Sequence, residues 1–168
     1  MMSLVLERAT PAWSGEIHRM LHAVINEIEI YNDKAKHYER VLYDHEYIKS
    51  LLEPDAASCV VAHVNGSLAG ICLCREDNGP WWLSWFAVRA EFHGRGIGSR
   101  LIQTAIKEAF DRKIQKIWCD TRSNNFLSIP ILEKAGFSKL CELKNHWCNQ
   151  DYFLWEKFIF ETDYGRQD

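Results

Sequence analysis

Three glycines at alternate positions, Gly94, Gly96 and Gly98, stand in the stretch EFHGRGIGSRL, directly before an amphipathic run. A backbone without side chains at the start of a helix outlines an anion site. The ligand can approach closely, and the free N–H groups of the first turn point at negative charge. Phosphate is the ligand such a turn suits. Two common phosphate loops do not fit. A P-loop needs GxxxxGK followed by Ser or Thr, and that string is absent. A dinucleotide turn needs GxGxxG, whereas Gly94-Arg95-Gly96-Ile97-Gly98 has another spacing and follows three other strands. A plain tight turn would not need three glycines in five residues.

The elements around this turn alternate in a regular order. LVLERA, Leu4 to Ala9, has the period of a strand, and Pro11 and Trp13 lead into a helix carrying Ile17, Met20, Leu21, Val24, Ile25 and Ile28. The spacing of Tyr38, Val41, Leu42, His45, Ile48 and Leu51 predicts a second helix from about Ala35 to Leu52. SCVVAHV and SLAGICLC read as strands joined by a tight Asn65-Gly66 turn, and DNGP turns the chain into the aromatic strand WWLSWFAV. After the glycines, Leu101, Ile102, Ala105, Ile106, Ala109 and Phe110 form a helical stripe. KIWCDT is the next strand. SIPILEKAGF is a short helix with Ser128 as its N-cap, Pro130 in its first turn and Gly136 at its end, and FSKLCEL and DYFLWEKFIF are the last two strands. The fold class is α+β or α/β, one mixed sheet covered by helices. With 168 residues and 47% hydrophobic content, residues 1–168 are expected to make one domain.

Composition narrows the chemistry. Lys plus Arg number 20 against 23 for Asp plus Glu, a net charge of −3, so no basic field argues for nucleic acid or an anionic membrane. The N-terminal stretch lacks a signal-peptide pattern and no apolar run reaches the ~18 residues of a membrane span, so a cytoplasmic location is expected. Six cysteines without a CxxC pair are expected to be reduced and buried, and His18 with His22 makes a poor metal pair for want of a third ligand. No metal site is expected.

VRAEFHGRGIGSRL resembles the pyrophosphate-binding motif of the GNAT acetyltransferases, with Val88 closing the strand and Gly96 and Gly98 at the two diagnostic small positions. NFLSIPILEKAGF resembles a second motif of that family through Asn125, Glu133, Lys134, Gly136 and Phe137. The resemblance covers nearly the whole chain, from Leu4 to Phe160, and implies the family's fold: a central mixed, twisted sheet flanked by helices. It also implies acetyl-CoA as cosubstrate, held between two splayed strands. Phe86, Ala87 and Val88 would supply the exposed strand edge, with a backbone N–H near Val88 polarising the thioester carbonyl. His93, Gly94, Arg95, Gly96, Ile97, Gly98 and Ser99 would cradle the pyrophosphate, with Arg95 and Arg100 as phosphate partners, and Asn125 would contact the pantetheine arm or the thioester end of the cofactor.

The implied reaction is acetyl transfer to a primary amine of a small molecule or peptide N-terminus, by direct attack on the thioester. Such an amine, with a reference pKa near ~10.4, is protonated at neutral pH and must lose a proton to attack. Asp120 matches a Glu that serves as base in ribosomal-protein N-terminal acetyltransferases; the other reading of Asp120 is a residue that ends a strand or caps a turn with Ser123. Leu132 stands where many members carry a Tyr that serves the departing sulfur, which leaves Tyr31, His146 and Tyr152 as substitutes. His93 replaces the usual Arg or Gln, which would make phosphate affinity weaker or pH-dependent. Eight acids against four bases between Asn26 and Asp55 suit a cationic acceptor or a solvated helix face. Trp81, Trp82 and Trp85 are an aromatic wall or simply core. A non-catalytic acyl-CoA-binding module is the alternative function, and pairing with a second copy of the chain is left open.

Overall fold

The computed structural model describes residues 3–53 and 58–160. Its strands are β1 (Leu4–Arg8), β2 (Cys59–Val64), β3 (Ser67–Glu76), β4 (Trp81–Val88), β5 (Lys116–Arg122), β6 (Ser138–Leu143) and β7 (Tyr152–Phe158). They form one sheet in the order β1-β2-β3-β4-β5-β7-β6, antiparallel at every neighbour except β4 and β5. The helices are α1 (Ser14–Glu27), α2 (Asp33–Leu42), α3 (His45–Ser50), α4 (Ile97–Asp111) and α5 (Ile129–Lys134). Asn65 and Gly66 both take positive φ, 51° and 82°, as the tight hairpin requires.

Helices cover both faces, which is why all six residues of β2 are buried. On one face, Leu101, Ile102, Ala105 and Ala109 of α4 pack on Val60, Ala62, Trp81 and Ile117. On the other, Ile17, Leu21 and Ile25 of α1 and Ile48 of α3 pack on Val61, Ile71, Leu73 and Trp85. Each fully buried Leu or Ile contributes about 1.5–3 kcal/mol of transfer free energy. Close approach of α4 depends on Gly70 of β3, where a Cβ would stand 2.9 Å from both Leu101 Cδ1 and Ala87 O.

Strand β4 carries one residue too many for its partner. Leu73 faces Trp85 and Cys74 faces Leu83, which leaves Ser84 unopposed. The bulge switches the side-chain alternation, so that Leu83 joins the α4 core while Trp85, two residues on, joins the α1 core. Beyond it β4 departs from β5. The two strands pair only at Trp81 with Ile117 and Trp82 with Trp118, then splay toward their C-terminal ends.

Three expectations from the sequence are corrected. The helix predicted over Ala35 to Leu52 is two helices, because Tyr43 leaves helical geometry (φ −92°, ψ 53°) and the Asp44 side chain accepts a bond from the Tyr47 amide at 2.8 Å as a new N-cap. The break leaves Tyr38, Val41 and Leu42 exposed and turns Ala35, Tyr43 and Ile48 inward. Phe110, expected on the buried stripe of α4, lies half exposed and stacks on Phe160 at 5.1 Å. Five of the six thiols are buried, but Cys141, on edge strand β6, is exposed. Asp55, one of the counted acids, falls outside the described residues.

Candidate active site

Between β4 and α4 the chain makes one 3-10 turn, Ala90–Phe92, and enters the glycine stretch. Gly94 and Gly96 take φ of +73° and +72°, and a Cβ at either would meet nothing within 4 Å. Gly96 is the N-cap of α4, so the unpaired amides at the start of a 15-residue helix open beside side-chain-free backbone. Ser128 stands at the N-cap position of α5 with proline in the first turn, but its side chain makes no cap. The Asn125 Oδ1 accepts from the amide of Ser128 itself at 3.1 Å, which orders the turn just before α5.

The splay of β4 from β5 leaves a strand edge free. The Arg89 amide bonds Ala69 O of the β3 side at 2.9 Å, and the alternation of a strand then turns the Val88 and Phe86 amides toward the gap. A continuous cavity of about 960 Å³ runs from the glycine turn, through the gap, to a chamber between β5, β7 and α2. Phe86, Ala87, Val88, His93, Gly94, Gly96, Ile97, Gly98, Ser99 and Asn125 all line it. So do Asp120, Tyr31, His146 and Tyr152, drawn from four separate segments.

Two residues expected at the phosphates are elsewhere. The Arg95 guanidinium lies over the Phe92 ring at 5.6 Å and Arg100 borders a separate depression with Leu6, Gln103 and Thr104; neither lines the cavity. His93 is not turned to an anion either: its Nε2 donates to Val88 O at 2.7 Å, bracing the end of β4. Trp81 is core, while Trp82 and Trp85 line the cavity. Leu132 is fully buried in the core on the α4 side and is not among the residues that line the cavity.

The chamber is aromatic and acidic. The Tyr31 ring stands 6.0 Å from Trp85 and 6.2 Å from Trp147, and Tyr43 stands 6.3 Å from Trp85. Asp120 lies inside β5, opposite Leu154, rather than at a strand end or turn. Burial raises its carboxyl to about 6, with nearby His146 pulling it down. Glu39 of α2, which spacing does not single out among the acids, accepts from Trp85 Nε1 at 3.0 Å, and burial raises its carboxyl to about 7. Tyr152 is 2% exposed, and its hydroxyl, raised by burial and then by Asp120, has no hydrogen-bond partner among the described residues. Burial raises the Tyr31 hydroxyl as well, reinforced by Glu39.

A polar clamp shapes this chamber. Arg122, 8% exposed at the end of β5, donates from Nε to Ile30 O at 3.1 Å and from Nη1 to Asp151 O at 2.6 Å. Gln150 donates to the same Ile30 carbonyl at 3.1 Å, and Asn32 donates to Cys148 O at 2.9 Å. The α1–α2 connection is thereby tied to the β6–β7 connection. His18 and His22 do share a helix face, with ring centroids 4.0 Å apart, and His22 Nε2 donates to Tyr43 O at 2.8 Å. Among the described residues no helix is long and apolar enough to cross a membrane.

Comparison with known proteins places this architecture. The curated [ribosomal protein bS18]-alanine N-acetyltransferase of Escherichia coli K12 is 24% identical over 87 residues, 52% of this chain and 59% of that protein, so the chain matches little more than half the length of this relative. Among solved structures, a GNAT-family acetyltransferase from Streptococcus pneumoniae superposes with a TM-score of 0.81 at 20% identity, covering 94% of this chain and all of that one. A Salmonella typhimurium structure solved with its cofactor acetyl-CoA superposes at 0.73 and 17% identity, over 95% and 96%. The model of the acetyltransferase (GNAT) family matches residues 20–137, from within α1 through the glycine turn to Phe137, and the chain belongs to that family.

Proposed function

We propose that the protein transfers an acetyl group from acetyl-CoA to a primary amine of a small molecule or peptide N-terminus, as a single cytoplasmic domain. The observation that carries this reading is the continuity of one cavity from a glycine-lined helix start, past an unpaired strand edge, to a buried carboxyl. The open space at Gly94 and Gly96 fits a pyrophosphate, and the free edge of β4 fits an amide-bearing arm. Acetyl-CoA supplies the acetyl group as a thioester, whose thiol, near pKa ~8.5, leaves with modest help.

The chain's own residues then have distinct tasks. The amides of Ile97, Gly98 and Ser99 at the start of α4 bind phosphate oxygens, and Asn125 orders the turn beside the arm. The Val88 amide donates to the carbonyl oxygen as negative charge develops there. Asp120 takes the proton of the acceptor amine, and His146 steadies the carboxylate that does so. The Tyr152 hydroxyl donates a hydrogen bond toward the departing sulfur. Its raised pKa suits a donor that keeps its proton, so protonation of the thiolate is left to solvent. Tyr31 forms the wall against which the acceptor rests.

The E. coli relative acts on an alanine of ribosomal protein bS18, which makes peptides with free N-termini one arm of the test. Loss of acetyl-CoA is read by mass spectrometry against polyamines, aminoglycosides, amino acids and short peptides, because six protein thiols would blur a thiol-release assay. Turnover with one class is the expected result. Binding of acetyl-CoA with no turnover of any amine would overturn it in favour of a non-catalytic acyl-CoA-binding module.

A further inference from the structure

Four acids line the cavity, Glu27, Glu29, Glu39 and Asp120; burial perturbs the carboxyls of Glu39 and Asp120, and the reaction proposed above uses only Asp120. Glu39 comes down from α2 and is held by the Trp85 indole through Oε2 at 3.0 Å, which leaves Oε1 without a hydrogen-bond partner among the described residues. Neither Glu39 nor Asp120 forms an ion pair with any Lys or Arg among the described residues. Burial holds both in part neutral, Glu39 near 7 and Asp120 near 6, and the charge of Asp120 raises Glu39 further. A third group marks this chamber as built for a ligand: the Tyr152 hydroxyl, given above to the departing sulfur, is buried in the same cavity without a partner among the described residues, close enough to both carboxyls that each raises it. The rings of Tyr31, Tyr43 and Trp85 complete a box of the kind that attracts cations.

A monoamine answers only part of this. It arrives with one positive charge and surrenders it on reacting, after which Glu39, which pairs with neither Arg75 nor Arg122 of the cavity wall, has no ion-pair partner among the described residues. We propose that the acceptor is a dication, and that Glu39 selects it by holding the non-reacting cationic group against Trp85 and Tyr31 while Asp120 receives the proton of the reacting amine. This rests on the acetyl transfer proposed above and names its substrate class. In the reaction the reacting ammonium first gives one proton to Asp120, the freed amine nitrogen forms the new C–N bond, and the C–S bond breaks with its electron pair on sulfur. The second nitrogen proton leaves to solvent, from which the thiolate is protonated, and the second cation is unchanged throughout. A free diamine and an N-terminal amine followed by a basic residue share this chemistry.

The test compares kcat/KM for matched pairs: 1,4-diaminobutane against butylamine, and an Ala-Lys peptide against its Ala-norleucine counterpart. The expected result is a preference for the dication of about tenfold or more in one pair, the worth of a single hydrogen bond to a charged group. The pair that shows it identifies the source. In Glu39→Gln the preference falls about tenfold, through KM for the dication rather than kcat, while the acetyl-CoA Kd measured by calorimetry stays the same. Glu39→Asp retains part of the preference. Equal kcat/KM for both members of each pair in the wild-type protein, or a preference that survives Glu39→Gln, overturns the selection by Glu39 and leaves acetyl transfer standing. No turnover of any amine, with acetyl-CoA bound, overturns both.

Discussion

Replacing Asp120 with Asn tests the proton transfer and the cost of burying its carboxyl in one variant. Burial raises this carboxyl from 3.8 to about 6. At pH 7 it is then roughly nine-tenths ionised and at pH 5 roughly one-tenth, so kcat/KM for the acceptor, which reports the free enzyme, falls about tenfold between them. A carboxyl at the ordinary Asp value of ~3.9 would stay more than nine-tenths ionised at pH 5, and the same profile would be nearly flat. Asp120→Asn loses about 10²–10⁴ in kcat and loses this limb of the profile. Stability moves the other way. The folded state holds the Asp120 proton more tightly than the unfolded chain does, so the cost of ionising it is absent well below pH 4, grows as pH rises, and is complete above about pH 6. A carboxyl held about two pH units high costs at most about 3 kcal/mol. Asp120→Asn therefore melts higher than wild type at pH 8 and no higher at pH 3.5, by calorimetry, while mass-spectrometric turnover at pH 7 collapses. Wild-type kcat in the variant, or a wild-type kcat/KM that is flat from pH 5 to 7, would remove Asp120 as the base.

Four further outcomes are expected. Gly96→Val forces a β-branched residue to φ +72° at a strain of about 1–2 kcal/mol and fills the open space at the helix start, so acetyl-CoA binding by calorimetry is abolished; retained binding would sink the phosphate cradle. Tyr152→Phe lowers kcat about tenfold, yet its melting temperature is unchanged or higher, because the hydroxyl removed has no partner among the described residues; an unchanged kcat would end its assigned role. Arg122→Gln breaks the bonds to Ile30 O and Asp151 O, costs about 2–4 kcal/mol in denaturant melts, and raises acceptor KM while the acetyl-CoA Kd holds; equal rises in both would mean the clamp does not belong to the acceptor side. A thiol reagent modifies the native protein quickly at Cys141 alone and at all six cysteines after denaturation, and rapid native labelling of Cys59 or Cys119 would contradict their burial.

The two halves of the cavity were unequally legible in the sequence, and the reason is chain distance. The glycine turn, the Asn65-Gly66 hairpin and the end of α5 at Gly136 are demands made by a few consecutive residues on their own backbone, so residue type and order suffice to read them. Asp120 was reachable because Asn125 stands five residues on in a familiar motif. The break at Tyr43 was missed because residues 35–52 keep helical periodicity through it, and only the Asp44 side chain, capping the next turn, decides against one helix. Glu39 and Arg122 were missed for a stronger reason: the Trp85 that holds Glu39 lies 46 residues away, and the Ile30 carbonyl that Arg122 grips lies 92 away. Their neighbours in sequence carry no trace of those partners. The cofactor half of the cavity is local in sequence from Phe86 to Ser99, while the acceptor half is assembled from α2, β5, β7 and two connections that meet only in the fold. That division explains why the motifs point to a cofactor and are silent on the amine. The acceptor proposed above is argued instead from the folded chamber, where Glu39 makes no ion pair with Lys or Arg among the described residues.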